Sequence, residues 1–156
     1  MRKYLIQILV IGFLMFSCEK TETPIDNQDQ TEILSLVNDL RTSGCLCGAT
    51  NKPIVGTLAW DTKLEAAAKR HAEDMEKNAH FSHVGTDNST FSQRITEAGY
   101  VWSNCGENIA LGQKTNAEVI QSWKNSEGHC LNMMNGAFTH IAVARKGDYW
   151  VMVLAK

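Results

Sequence analysis

The sequence predicts an α+β domain in which helices pack on an antiparallel sheet, and three observations carry that prediction. Helix-period apolar patterning fills the first two thirds of the chain, strand-like runs are concentrated late, and the last two runs are separated only by "KGD". No internal repeat and no low-complexity tract interrupts the 156 residues, so one domain plus its ends is expected.

Four helices follow in order. "TEILSLVNDLR" places Ile33, Leu36, Val37 and Leu40 at i, i+3, i+4 and i+7, starting near Thr31 and failing before Gly44. "WDTKLEAAAKRHAEDMEKN" is the strongest, with Trp60, Leu64, Ala67, Ala68, His71 and Met75 in one stripe. Thr62 and Glu65 have capping-box spacing, and Glu65–Lys69 and Glu73–Lys77 are favourable i, i+4 pairs. "STFSQRITEAG" turns Phe91, Ile95 and Ala98 inward and stops at Gly99. "TNAEVIQSWKNSEG" opens with a second capping box, Thr115 to Glu118, and carries Val119, Ile120 and Trp123.

Strands are fewer. "ENIALG" is a short one, and "FTHIAVAR" and "YWVMVLA" form a hairpin around the glycine-containing turn. Alternation puts Phe138, His140, Ala142 and Ala144 on one face.

The N-terminus stands outside this domain. Arg2 and Lys3 precede an apolar run, Leu5 to Phe16, that is too short to span a bilayer and has the layout of a secretory signal. Ser17 directly before Cys18 resembles a bacterial lipoprotein signal, in which that cysteine is lipidated and becomes the first mature residue. The expected organisation is therefore a signal peptide over 1–17, a flexible tether over 18–30 behind lipidated Cys18, and a folded domain over 31–156. Such a chain is exported to a bacterial cell envelope and meets the membrane through its lipid; plain secretion is the alternative. Composition adds an exclusion. With 44% hydrophobic residues, a formal net charge of −2 and no basic patch, a real core is expected and a nucleic-acid partner is not.

Export gives the cysteines meaning. Beyond Cys18 there are four, Cys45, Cys47, Cys105 and Cys130, and an even number in an exported chain points to two disulfides. Cys45–Cys47 is disfavoured by its single intervening residue, which leaves two pairings open. No C-x-x-C spacing supports a cysteine zinc site instead.

Candidate chemistry rests on histidine and one carboxylate. His71 lies in the inward stripe of the long helix and is expected to be a core histidine with a hydrogen-bond partner. His80 and His83 bracket "FS" just beyond that helix, and His83 precedes a loop rich in Gly, Asp, Asn and Ser. His129 follows Gly128 at the end of the fourth helix, and His140 lies on a strand. Glu107 stands alone at the mouth of the "ENIALG" strand. Imidazoles with a carboxylate are the components of a divalent metal site or of acid–base work near neutral pH. No H-E-x-x-H, G-x-S-x-G or phosphate-binding glycine loop occurs.

In combination, "HFSH", "GYVWSNCGENIALG" and "SWKNSEGHCLNMMNGAFTHIAVA", following the "L-x-W-x-x-x-L-x-x-A-A-x-x-H-A-x-D-M" pattern, resemble the CAP superfamily, or SCP domains, in its bacterial branch, over about Ile33 to Ala155. The resemblance implies a three-layer α-β-α sandwich with a central antiparallel sheet. It implies a cleft in which His83, Glu107 and His129 face one another. The family's fourth cleft position, a glutamate, is Ser126 here, with Glu127 adjacent, and His140 would border the cleft. A divalent metal such as zinc, or a small or lipid ligand, would bind there; metal-assisted hydrolysis and a scaffold role with a vestigial cleft are the alternatives. The family's cysteine positions match Cys47 and Cys130, which implies a Cys47–Cys130 bridge and leaves Cys45 to pair with Cys105.

Overall fold

The computed structural model describes residues 25–156. Cys18, the signal segment and the first part of the expected tether lie outside the described residues.

The chain runs α1 (Asn27–Ser43), β1 (Cys45–Cys47), β2 (Thr50–Lys52), β3 (Ala59–Trp60), α2 (Thr62–Asn78), α3 (Phe91–Glu97), β4 (Cys105–Leu111), α4 (Asn116–Asn125), α5 (Glu127–Met133), β5 (His140–Lys146) and β6 (Tyr149–Ala155). The main sheet has the order β3-β5-β6-β4, and β1 and β2 form a separate two-stranded ribbon. Pairing along β4–β6 and β5–β6 is antiparallel, but β3 joins β5 in parallel, so the sheet is mixed rather than wholly antiparallel. The β5–β6 hairpin turns on Gly147, whose φ of 57° is open to glycine at no steric cost.

Both faces of the central strands are buried, which makes the sheet the middle of three layers. On one side Ile141, Val143, Met152 and Leu154 meet Ile33 and Val37 of α1, Val119, Ile120 and Trp123 of α4, and Met133 of α5. On the other, Ala142, Ala144, Val151, Val153 and Ala155 meet Leu64, Ala67, Ala68, Ala72 and Met75 of α2 and Ile95 of α3. The second face is paved with alanine from helix and sheet alike, which lets α2 seat close to the strands.

Several boundaries differ from the sequence expectation for local physical reasons. α1 starts at Asn27, not Thr31, because Asp26 and Asp29 form a capping box, so the end of the expected tether is helical. α2 is capped by Asp61, which accepts from Lys63 N and Leu64 N, instead of Thr62. Glu65 receives Trp60 Nε1 at 2.8 Å, and Trp60 itself belongs to β3. Thr115 does cap α4, but Glu118 accepts from Lys114 N in place of Thr115 N. The expected fourth helix breaks at Ser126, whose extended backbone (φ −92°, ψ 117°) ends α4 and starts α5.

Of the cysteines, Cys47 and Cys130 form a disulfide with Cα atoms 5.4 Å apart. Cys45 and Cys105 are free, so the expected Cys45–Cys105 bridge is not formed. The reason is layering: Cys45 packs with Cys47, Cys130 and Met134, whereas Cys105 packs with the α2 side of the sheet. Among the described residues, no helix is long and apolar enough to cross a membrane.

Candidate functional site

β4 is an edge strand, touched by α3 of one helical layer and by α4 and α5 of the other. Glu107 enters the α2–α3 side, where it is 5% exposed. Its carboxylate is held from two directions. Oε1 accepts from His83 Nδ1 at 2.8 Å, and Oε2 accepts from Arg94 Nη2 at 2.8 Å. A carboxylate only accepts, so Nδ1 of His83 carries a proton, and in the neutral ring Nε2 is the nitrogen with the lone pair. The ring itself is about half exposed, with 49% of its side-chain surface open.

Arg94 is the residue that sequence reasoning missed. It lies in α3 one position before Ile95 and is 2% exposed. Besides Glu107 it donates to the carbonyls of Ser89 at 2.8 Å and His83 at 3.0 Å, so one guanidinium fixes the carboxylate and the loop that carries His83. Its position three residues after Phe91, on the inward face of a short amphipathic helix, was the available signal.

His71 lies beneath the site and is fully buried. Nε2 donates to the Ser82 carbonyl at 2.8 Å and is 4.0 Å from Glu107 Oε1, while Nδ1 has no hydrogen-bond partner. Burial pushes its pKa below the ordinary value, outweighing the attraction of the Glu107 carboxylate. The ring is therefore neutral in the fold. The unfolded chain takes up a proton as pH falls through about 6.5, whereas the folded chain does so only lower down, so acid favours unfolding in that window. We expect stability to fall from about pH 6.5 downward, and the His71→Gln variant to show a flatter profile. Denaturant titrations over this range check it; identical slopes in both proteins would exclude His71 as the source.

His129 approaches from the opposite layer. It sits in the first turn of α5, not at the end of a fourth helix, and is half-buried. Asn108, fully buried on β4, donates to the His129 carbonyl at 3.1 Å, and Asn132 bridges Asn108 Oδ1 at 2.9 Å and the Glu107 carbonyl at 3.3 Å. These amides fasten α5 to the strand. Burial first, and repulsion from the neighbouring His83 ring in its protonated form second, hold the His129 pKa below its usual value.

The remaining expected residues make contacts of their own. His140 accepts from or donates to Tyr100 Oη at 2.8 Å through Nδ1, with the rings edge to face. Glu127 is exposed and accepts from Thr50 Oγ1 at 3.3 Å, toward the β1–β2 ribbon. Ser126 marks the break between α4 and α5 and makes no side-chain cap. His80 bonds the Val84 carbonyl at 3.1 Å. Among the described residues, the only group of three or more His, Cys, Asp or Glu side chains with ligand atoms within 4.8 Å of one another is Cys45, Cys47 and Cys130. His83, Glu107 and His129 are not drawn that close, and both Glu107 oxygens are already engaged.

Comparison with known proteins places the fold. The family model described as "Cysteine-rich secretory protein family" (CAP) matches residues 34–154. An uncharacterized membrane protein of Bacillus subtilis strain 168, YlbC, is 30% identical over 132 residues, covering 85% of this chain and 36% of its own length. An extracellular protein of Bacillus anthracis containing an SCP domain superposes with a TM-score of 0.73 at 28% identity, over 85% of this chain and 41% of that one. An outer surface protein of Borrelia burgdorferi shares the fold with a TM-score of 0.71 at 24% identity, over 86% and 97%. The chain thus spans little more than a third of the length of the curated relatives it matches.

Proposed function

The chain belongs to the cysteine-rich secretory protein (CAP) family, and we infer that its cleft binds a divalent metal ion or a small ligand between His83 and His129. The observation that carries this is the buried carboxylate behind an exposed imidazole. Glu107 holds His83 by Nδ1, which fixes the tautomer that offers Nε2 as a ligand atom. His129, held neutral by its surroundings, is the second donor. The residues fit a metal as an imidazole pair oriented from behind, with Glu107 as the orienting group and not a ligand. Hydrolysis with Glu107 as base is less well supported, because both of its oxygens already accept hydrogen bonds.

The N-terminal signal pattern, together with relatives described as a membrane protein and an extracellular protein, supports export. In our reading Cys18 carries a lipid that anchors the domain to the cell envelope.

Calorimetry with zinc or copper tests the binding site. His83→Ala and His129→Ala should each remove most of the binding, while His71→Gln should leave it. Glu107→Gln should weaken it by about 10–100-fold, as loss of an orienting partner does. Unchanged affinity in both histidine variants would refute the site.

A further inference from the structure

Away from the cleft, three sulfurs meet where the β1–β2 ribbon packs on α5. Cys47 and Cys130 are bonded and fully buried. The free thiol of Cys45 lies 3.8 Å from Cys130 Sγ, and all three sulfurs are within 4.8 Å of one another. Cys45 and Cys47 are alternate residues of β1, so the strand's period of two turns both toward Cys130, while Leu46 between them points out and is 63% exposed. We propose that this cluster is an intramolecular thiol–disulfide exchange site, in which the bond that ties α5 to the β1–β2 ribbon moves between Cys47 and Cys45.

The step balances within the chain. The Cys45 thiol loses its proton to solvent, and its thiolate attacks Cys130 Sγ. A Cys45–Cys130 bond forms as the Cys47–Cys130 bond breaks, and Cys47 departs as a thiolate that is protonated from solvent. Nothing is oxidised or reduced overall. Attack on Cys47 instead would produce the Cys45–Cys47 bridge, whose geometry is unfavourable.

The two bridges close loops of nearly equal length, with sequence separations of 83 and 85, so chain entropy does not choose between them. Local packing decides, and it favours the present form, since Cys47 is fully buried and Cys45 only partly so. Attack requires the three sulfurs in a line, and the triangle they now form is too compact for that, so β1 must slide. The element that moves is a two-stranded ribbon outside the main sheet, which holds less firmly than a strand paired on both sides. Because Cys130 follows His129 directly, either bridge keeps the start of α5 tied down.

The full chain carrying Cys18→Ser and Cys105→Ser leaves Cys45 as the one thiol outside the bridge. The oxidised, folded protein is held at mildly alkaline pH for increasing times, then quenched in acidic denaturant containing a maleimide, which labels the free thiol wherever it is buried. Non-reducing digestion and mass spectrometry then locate label and bridge. We expect two singly labelled species, one with label on Cys45 and a Cys47–Cys130 bridge, the other with label on Cys47 and a Cys45–Cys130 bridge. The second should grow with time to a plateau. Adding Cys47→Ser should yield a Cys45–Cys130 bridge in nearly all molecules. Label confined to Cys45 at every time overturns the proposal whatever the Cys47→Ser protein does, and so does a Cys47→Ser protein with Cys45 and Cys130 both free.

Discussion

Glu107→Ala should destabilise the domain by about 3–5 kcal/mol, the usual cost of removing one partner of a buried ion pair. The loss comes mainly from what remains. Arg94 is 2% exposed, and without Glu107 its charge would face a buried site with only the Ser89 and His83 carbonyls to receive it. Replacing both members, as in Glu107→Leu with Arg94→Leu, should cost less than the sum of the single changes, because neither charge is then stranded. Urea denaturation of Glu107→Leu, Arg94→Leu and the double variant gives the comparison. Additive losses would show that the pair is not coupled as its 2.8 Å contact implies.

Arg41→Met should be comparably damaging, about 3–5 kcal/mol, for a different reason. Arg41 is fully buried in α1 and donates to four backbone carbonyls: Gly56, Met133, Asn135 and Phe138. No carboxylate faces it in this set, and burial pulls its pKa below the ordinary value. The guanidinium serves as a multi-pronged cap for loops that regular structure leaves unsatisfied, including the end of α5. Methionine keeps the length and the apolar stem but orphans those carbonyls. The midpoint of thermal or denaturant unfolding reads the effect, and a loss below about 1 kcal/mol would mean that solvent satisfies them instead.

Periodicity made the long elements legible. The α2 stripe and the inward face of α3 are 3.6-residue patterns that a one-dimensional reading captures. The β5–β6 hairpin shows through its turn, although Phe138 packs on the α1 side, away from Ala142 and Ala144. Three-layer burial, however, writes β5 and β6 as near-continuous apolar runs, and a two-residue strand such as β3 has no period to detect. The break at Ser126 depends on one residue's backbone, in a stretch whose capping and apolar signals still read as helix.

The site divides the same way. His83 and Glu107 were visible as a pair through resemblance, and the structure joins them directly. Arg94 was missed although it stands beside Ile95 on the inward side of α3, since an arginine reads as solvated until the fold supplies a carboxylate and two carbonyls. The cysteines show the limit most plainly: counting them gives two bridges, while the layers put Cys45 and Cys105 on different sides of the molecule.

The alanine paving between α2 and the sheet has a consequence for how the cleft tolerates change at a distance. Where alanine of the helix faces alanine of the sheet there is little side chain to fold aside, so bulk added at Ala68 or Ala144 is taken up by moving a helix. The segment leading to His83 leaves from the C-terminal end of that helix, and Ser82 is tied back to His71 on it. Crowding there would be transmitted as a rigid displacement, arriving at the His83 ring as a misplaced ligand atom while every residue of the cleft kept its identity.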